Sequence, residues 1–233
     1  MAKRRREPVV VPALVGEGLA KDYGDVVALA PLDVEVRPGE LVALIGHNGS
    51  GKSTLLKLAA GLLDPTAGEV RLAGHPAGSV EARAEVSYLP DAPVLYDDLS
   101  VREHVEYLGY LHGVEDPVAE GDELLSRFNL SERADDLPRG FSRGLRQKTA
   151  LVLGLLRPSS VLLVDEPFVG LDQSGKAALL DLFDARRAAG STIVVATHDL
   201  ALVERVDRCL VLRQGELVHD GKVDPSEVLA LAG

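Results

Sequence analysis

Gly46-His47-Asn48-Gly49-Ser50-Gly51-Lys52-Ser53 is a loop in which four residues separate two glycines, and a lysine and a serine follow. This spacing is typical of a phosphate-binding loop, which needs glycine where a Cβ would keep the backbone away from the phosphates. The apolar run 41–45 predicts a buried strand before the loop, and 54–63 predicts a helix after it. Backbone N–H groups and the helix N-terminus would then bind an anion, and Lys52 would reach the β- and γ-phosphates of a nucleotide.

Two carboxylates end a second apolar segment, Val161-Leu162-Leu163-Val164-Asp165-Glu166. A bound nucleoside triphosphate carries Mg²⁺, so the site needs a carboxylate for the ion and another group for the attacking water. We predict that Asp165 holds Mg²⁺ together with the Ser53 hydroxyl, and that Glu166 orients the water. Because side chains alternate along a strand, Glu166 is expected on the opposite side of the strand from Asp165.

The composition is that of a globular protein, with 46% hydrophobic and 26% charged residues in a chain of 233. The formal net charge of −11 argues against nonspecific nucleic-acid binding as the main task. The single cysteine, Cys209, excludes a disulfide framework and favours the reducing cytoplasm. No apolar run approaches the length of about 20 residues that spans a bilayer, so any pore is expected to belong to another protein.

The chain is expected to divide into four parts. The basic run 3–6 is either a solvated terminus or a contact to anionic lipid headgroups. Strand signals are missing from the middle of the chain, where a capping box at Ser100 opens the first of several helices. The parts are a tail (1–14), the first half of a nucleotide-binding core with an antiparallel β subdomain (15–98), a helical subdomain (99–158) and the second half of the core (159–233).

With its motifs in this order, the chain resembles the ATP-binding subunit of an ABC transporter, from Leu19 to about Gly221. The segment 46–54 resembles the Walker A loop, 161–166 resembles Walker B, and 170–172 resembles the D-loop. The resemblance implies an α/β fold: a P-loop NTPase core with a mixed sheet, an N-terminal antiparallel β subdomain and a helical insert.

The resemblance also implies roles for single residues. Glu166, His198 and Lys52 would be catalytic, with His198 contacting the γ-phosphate of ATP. Tyr23 falls where the family stacks an aromatic ring on adenine, although an ordinary packed or surface aromatic is the other interpretation. The implied Mg²⁺ ligands are Ser53, Asp165 and Asp91. The implied ATP ligands are Tyr23, Gly46, His47, Asn48, Gly49, Ser50, Gly51, Lys52, Ser53, Thr54, Asp91, Ser142, Gly144 and Asp172.

Phe141-Ser142-Arg143-Gly144-Leu145-Arg146-Gln147 lies where the family carries its signature, usually Leu-Ser-Gly-Gly-Gln. Ser142 and Gly144 match this pattern, whereas Arg143 and Leu145 depart from it. We predict that Ser142 caps the helix that follows, and in the family this helix end meets the γ-phosphate bound by the other subunit. Arg143 would either add positive charge beside that phosphate or pair with an acid of its neighbour.

Asp91 is the second departure, because the family usually has a glutamine there that contacts Mg²⁺ and the attacking water and relays to the membrane domain. An aspartate could ligate Mg²⁺ or its waters, but the γ-phosphate would repel it without the ion. Together with the altered signature, this residue makes the chain resemble the cassettes of drug- and polymer-exporting (ABC-2) transporters.

The implied function is an ATPase that drives transport, with export expected rather than import. ATP would join two cassettes, and hydrolysis would release them. The partners would be a separate integral membrane permease and a second cassette, either another copy or a paralogue, without specific nucleic acid. The chain would lie on the cytoplasmic face of the membrane and touch it only through the permease. Candidate contact residues are Tyr96, Leu99 and Tyr107, although core packing is the commoner role for such side chains.

Two other functions fit parts of the pattern. A soluble ABC-type ATPase that acts on the ribosome or on DNA would share the nucleotide site, although such proteins usually carry two cassettes or a long coiled-coil insert. A phosphate-loop kinase or GTPase would share only the loop, and it would lack the signature-like segment and His198.

Overall fold

The computed structural model describes residues 10–199 and 202–232, so the basic run 3–6 and most of the expected tail lie outside the described residues. Apart from two short 3₁₀ turns, its elements in chain order are β1 Leu14–Tyr23, β2 Val26–Val36, β3 Leu41–Ile45, α1 Lys52–Ala59, β4 Ala67–Leu72, β5 His75–Pro76, α2 Val80–Glu85, β6 Val86–Leu89, α3 Val101–Leu111, α4 Pro117–Arg127, α5 Arg143–Leu156, β7 Val161–Asp165, α6 Gln173–Ala188, β8 Thr192–Thr197, β9 Arg208–Arg213, β10 Glu216–Gly221 and α7 Pro225–Ala232.

A six-stranded mixed sheet in the order β10-β9-β3-β8-β7-β6 forms the centre of the fold. The strands from β9 to β6 are parallel to their neighbours, and β10 joins β9 as an antiparallel hairpin. The three central strands β3, β8 and β7 are buried along their whole length. Continuous apolar runs are what a parallel sheet requires when both of its faces are covered.

The two faces of the central sheet pack against different parts of the chain. Leu41, Ala43 and Ile45 of β3 belong to a core shared with the helices α3 to α6. Val42 and Leu44 belong to a second core shared with α1 and the small antiparallel sheet. This alternation along one strand separates the helical layer from the β layer.

The antiparallel sheet has the order β2-β1-β4-β5 and includes the β1–β2 hairpin around Gly24. Its β1 strand pairs with β2 on one side and with β4 on the other. The turn between β9 and β10 links β2 to the phosphate loop, because Gly215 O accepts a hydrogen bond from Ala30 N and Gly215 N donates to Ser50 O. The expected antiparallel β subdomain is therefore present.

The helical insert consists of α3, α4 and α5, with two short 3₁₀ turns between α4 and α5, at Ser131–Arg133 and Pro138–Gly140. The predicted capping box is present: Ser100 Oγ accepts from Glu103 N at 3.2 Å, and Glu103 Oε2 accepts from Ser100 N at 2.7 Å. As expected from the sequence, residues 100–158 contain helices and no strand.

The helix after the phosphate loop differs from its predicted range of 54–63. It begins at Lys52 and ends at Ala59, because Gly61 adopts a left-handed conformation with φ of 70°. Leu62 N then donates to Lys57 O, which closes the helix end. In the part of the chain that the structure describes, no helix is long and apolar enough to cross a bilayer.

Leu125→Ala should lower the free energy of unfolding by about 2–5 kcal/mol, because Leu125 is 1% exposed in the insert core and the change leaves a cavity. Leu111→Ala is the control, since Leu111 is 60% exposed and its loss should change stability by less than about 0.5 kcal/mol. Urea unfolding measures both variants. Equal loss of stability in the two variants would contradict the assigned insert core.

Candidate nucleotide-binding site

Three loops meet at one edge of the central sheet, because β8 lies between β3 and β7. Ile45 pairs with Thr197, and Ala196 pairs with Asp165. The phosphate loop, the two acids and His198 all follow the carboxyl ends of these three strands. Ligands of open parallel sheets bind at this edge.

The phosphate loop passes from β3 into α1 through Gly51, which has φ of 105°. A Cβ on Gly51 would come within 2.7 Å of Ala28 O, and a Cβ on Gly46 would come within 2.3 Å of Leu212 O. Neither position therefore accepts a side chain without displacing backbone. His47, Asn48 and Gly49 form the exposed outer side of the loop.

The first turn of α1 is built to receive an anion. Its N-cap Gly51 offers no side-chain hydrogen bond, and the turn contains no acidic residue. Lys52 is buried and donates from Nζ to Gly46 O at 2.7 Å and to His47 O at 3.3 Å. Positive charge is thus concentrated at the phosphate loop, from the backbone N–H groups, the helix dipole and this ammonium group.

Asp165 is 2% exposed at the end of β7, and burial raises the pKa of its carboxyl, while the Ser53 hydroxyl acts in the opposite direction.

The prediction that Glu166 points to the opposite side of the strand is wrong. The strand ends at Asp165 and Glu166 takes a left-handed φ of 47°, so its carboxylate also faces the phosphate loop. Strand alternation no longer applies beyond the last paired residue.

Glu166 is held between two cationic or potentially cationic partners. Its Oε1 lies 3.5 Å from Lys52 Nζ, and its Oε2 lies 2.9 Å from His198 Nδ1. Its side chain is 13% exposed, whereas that of His198 is 66% exposed. The geometry therefore joins all three residues expected to be catalytic, with Glu166 in the middle.

The residues present fit a Mg²⁺ ion. Asp165 Oδ1 is buried without a hydrogen-bond partner, and the Ser53 hydroxyl lies beside the same carboxylate. A carboxylate and a hydroxyl next to a phosphate loop are ligands that Mg²⁺ accepts. Asp91 lines the same cleft, so it could join this set.

A cleft of about 330 Å³ lies over the phosphate loop, with Asp91 and Glu166 in its lining. Its phosphate-loop lining includes Asn48, Gly49, Lys52, Ser53 and Thr54. Its other wall is apolar and was missed by the sequence interpretation, because nothing marks a strand residue as cleft-lining before the hairpin is placed. That wall consists of Val26, Val27 and Ala28.

Tyr23 pairs with Val26 across the hairpin and is exposed. Lys21 Nζ lies 5.3 Å from the centre of its ring, which is a cation–π contact. Tyr23 does not line the cleft itself. Its stacking on adenine therefore stays a prediction.

The signature-like residues and Asp172 lie outside this cleft. Ser142 caps α5 by accepting from Leu145 N at 3.3 Å, as predicted. A Cβ on Gly144 would meet Gly170 O at 2.5 Å, so the start of α5 packs directly on the loop after β7. The nucleotide contacts of Ser142 and Gly144 remain predictions.

Asp172 has a structural role that its motif did not reveal. It caps α6 by accepting from Gly175 N, and this bond together with Lys148 lowers the pKa of its carboxyl. Lys148 Nζ lies 3.1 Å from Asp172 Oδ2 and so ties α5 to α6. The expected contact of Asp172 with a nucleotide stays a prediction.

The two departures from the family pattern contact each other. Arg143 Nη2 lies 3.3 Å from Asp91 Oδ1 within the same chain. Of the two roles considered for Arg143, the structure thus shows pairing with an acid. Neither residue is recognisable from sequence as the partner of the other, because 52 positions separate them.

A phosphate loop, two acids and a histidine at the edge of a parallel sheet define a nucleotide hydrolase. The ABC transporter family model matches residues 29–169, more than half of the chain. The chain is 32% identical over 207 residues to the SkfA peptide export ATP-binding protein SkfE of Bacillus subtilis, covering 88% of this chain and 87% of that protein. It is 34% identical to the macrolide export ATP-binding/permease protein MacB of Rhodopseudomonas palustris, covering 89% of this chain and 34% of that protein.

A solved structure shares the fold. It is the dimeric post-hydrolysis state of the ATP-binding cassette MJ0796 bound to ADP and Pi, with a TM-score of 0.82 and 25% identity. The match covers 91% of this chain and 99% of that chain. The chain belongs to the ABC transporter family, as an ATP-binding and ATP-hydrolysing cassette.

Asp91→Gln should reduce the dependence of ATP binding on Mg²⁺, because it removes a carboxylate from the cleft. Calorimetry gives the dissociation constant for ATP once with EDTA and once with Mg²⁺. The EDTA value divided by the Mg²⁺ value should be larger in the wild type than in the variant. Asp97→Gln makes the same charge change at an exposed position outside the cleft and serves as the control. A larger ratio in the Asp91→Gln protein would contradict the prediction.

Proposed function

We propose that this cassette hydrolyses Mg·ATP as one of a pair and thereby drives export of a substrate through a separate membrane permease. The observation that carries the proposal is the position of Glu166, held between Lys52 and His198 beside the phosphate loop. The reported relatives support the transport role, since both of their names describe export. They leave the soluble ribosome- or DNA-directed ATPase without support.

In the proposed reaction, Lys52 and the N–H groups of the loop neutralise and position the phosphates. Glu166 accepts a proton from the water whose oxygen attacks the γ-phosphorus, while the bond to the ADP oxygen breaks. His198 holds Glu166 in this orientation from the exposed side. Mg²⁺, held by Ser53 and Asp165, would supply charge neutralisation at the phosphate oxygens. Positioning and electrostatics supply most of the rate enhancement in phosphoryl transfer.

The start of α5 is the surface that we assign to the second cassette. Ser142 and Arg143 are exposed there, and neither lines the cleft of its own chain. A capped helix N-terminus offers N–H groups to an anion, which a nucleotide held by another cassette would provide. The dimeric state of the matching solved structure supports this arrangement. The second cassette is either another copy of this chain or a paralogue.

The surface that we assign to the permease is a groove of about 390 Å³ between β6 and the helices α3 and α5. We call it the permease groove, and its lining includes Leu89, Pro90, Val94, Leu108, Leu153 and Arg157. Val94 is 92% exposed at its mouth. A short amphipathic helix from the permease fits such an apolar groove.

Aromatic side chains extend this surface along α3. Tyr96 and Tyr107 are exposed and meet edge to face at 5.9 Å, although core packing was the commoner expectation for them. His104 holds Tyr96 from the protein interior. It is 1% exposed, and its Nε2 accepts a hydrogen bond from Tyr96 N at 2.9 Å. The aromatic pair is therefore held at the surface, whereas Leu99 is partly buried.

The location follows from this assignment. A cassette that docks on a permease and uses cellular ATP would lie on the cytoplasmic face of the membrane. Its contact with the bilayer would then be indirect, through the permease. Hydrolysis and the membrane partner are tested by the two experiments below.

Glu166→Gln should leave ATP binding close to wild type and lower the hydrolysis rate by a factor of about 10²–10⁴, because the amide cannot accept the proton. Phosphate release measures hydrolysis, and calorimetry measures binding. Glu132→Gln, at an exposed position in the insert, is the matched control. Near-normal hydrolysis in the Glu166→Gln protein would remove Glu166 from its assigned role.

Val94→Asp should abolish recovery of a membrane partner, because it places a charge at the mouth of the permease groove. The tagged chain is extracted from native membranes in mild detergent, and bound proteins are identified by mass. Val80→Asp changes a 69% exposed valine outside the groove and should keep the partner. Failure of the wild type to retain a multi-span membrane protein would argue against the transport role.

A further inference from the structure

The ion pair between Arg143 and Asp91 joins the helical insert to the nucleotide cleft. Arg143 is the first residue of α5, and Asp91 follows β6 and lines the cleft with Ser53, Lys52 and Glu166. Their side chains approach to 3.3 Å while remaining 69% and 47% exposed. One carboxylate therefore faces both a guanidinium group and the site of the nucleotide phosphates.

Arg143 occupies a position that disfavours a cation. The N-terminus of a helix carries partial positive charge, and the first turn of α5 contains no acidic residue to offset it. Asp91 supplies the missing negative charge from outside the helix. The pair thus offsets the unfavourable position of the Arg143 charge at the helix N-terminus.

Asp91 is the member of the pair that can change partner. The start of α5 is held by backbone contact, since a Cβ on Gly144 would meet Gly170 O at 2.5 Å. Asp91 lies in the irregular segment between β6 and α3. Asp91 shares the lining of the cleft with Ser53, one of the residues that would hold Mg²⁺.

We propose that Arg143 competes with nucleotide-bound Mg²⁺ for the Asp91 carboxylate, so that binding of Mg·ATP breaks the bridge between the cleft and the helical insert. The inference rests on the proposed function, because it assumes Mg·ATP in the cleft. An exposed ion pair is weak, so a nearby divalent cation outcompetes it. Reciprocity then requires that removing Arg143 strengthens the effect of Mg²⁺.

Release of Asp91 has a consequence at the surface. Arg143 becomes an unneutralised cation beside Ser142, on the face that we assign to the second cassette. Occupancy of one cleft therefore changes the charge that this cassette presents to its partner. A positive charge there favours docking of a partner cassette whose face carries nucleotide phosphates, and it disfavours docking of one without them.

The test is the ratio of the dissociation constants for ATP measured by calorimetry with EDTA and with Mg²⁺. Arg143→Gln should raise this ratio about two- to fivefold, the range that corresponds to one exposed ion pair. Arg139→Gln removes the same charge from an exposed neighbouring position and should leave the ratio unchanged. Arg143→Lys keeps a cation beside Asp91 and should fall nearer the wild type than Arg143→Gln does.

The double variant Asp91→Gln/Arg143→Gln separates competition from a general charge effect. If Arg143 acts through Asp91, the double variant should match Asp91→Gln alone, because the carboxylate for which the two cations compete is gone. An unchanged ratio in Arg143→Gln, or a double variant that still shows the increase, would overturn the inference. A wild-type ratio near one would instead refute the assumed Mg·ATP, and so the proposed function.

Discussion

The backbone pairing that places β8 between β3 and β7 is the constraint on which the site depends. It fixes the distance between the phosphate loop, the end of β7 and His198, none of which is adjacent in sequence. Each of these segments is short, and each is exposed on one side. The buried ladder beneath them holds Lys52 Nζ 3.5 Å and His198 Nδ1 2.9 Å from the carboxylate oxygens of Glu166. Loops that carry chemistry commonly depend on a rigid sheet in this way.

Charge balance shapes the same region. Lys52 is buried, and a buried ammonium group is costly unless it has partners. Two backbone carbonyls and the Glu166 carboxylate supply these partners within the chain. A nucleotide phosphate would replace interactions that already exist, so part of its binding energy is used to rearrange Lys52. The affinity for the nucleotide therefore reflects the difference between the contacts that Lys52 makes with the phosphate and those that it makes without it.

The motifs and the fold were predictable from sequence where the signal was local. The phosphate loop, the Ser142 cap and the capping box at Ser100 depend on residues a few positions apart, and all three are present. The orientation of Glu166 was not predictable, because alternation assumes a strand that continues and the backbone changes to φ of 47° there. Nonlocal features were also missed, such as the apolar cleft wall at 26–28.

The Arg143–Asp91 contact shows the same limit in a different form. Each residue was recognisable as a departure from the family pattern, and pairing with an acid was one of two roles considered for Arg143. Their closeness follows only from the packing of α5 on the core, through the contact of Gly144 with Gly170. A comparison with the family motifs that takes one residue at a time cannot predict that two unusual residues compensate each other.

The strand order also bears on how the molecule is made. β3 is synthesised early, but its parallel neighbours β8 and β9 come from the last third of the chain, as in the pairing of Leu41 with Ile193. On the ribosome, the phosphate loop therefore emerges long before the strands that support it. The helical insert, whose contacts are closer in sequence, is complete earlier. The ability to hold a nucleotide should consequently appear late in synthesis, once chain closure has brought the distant strands together.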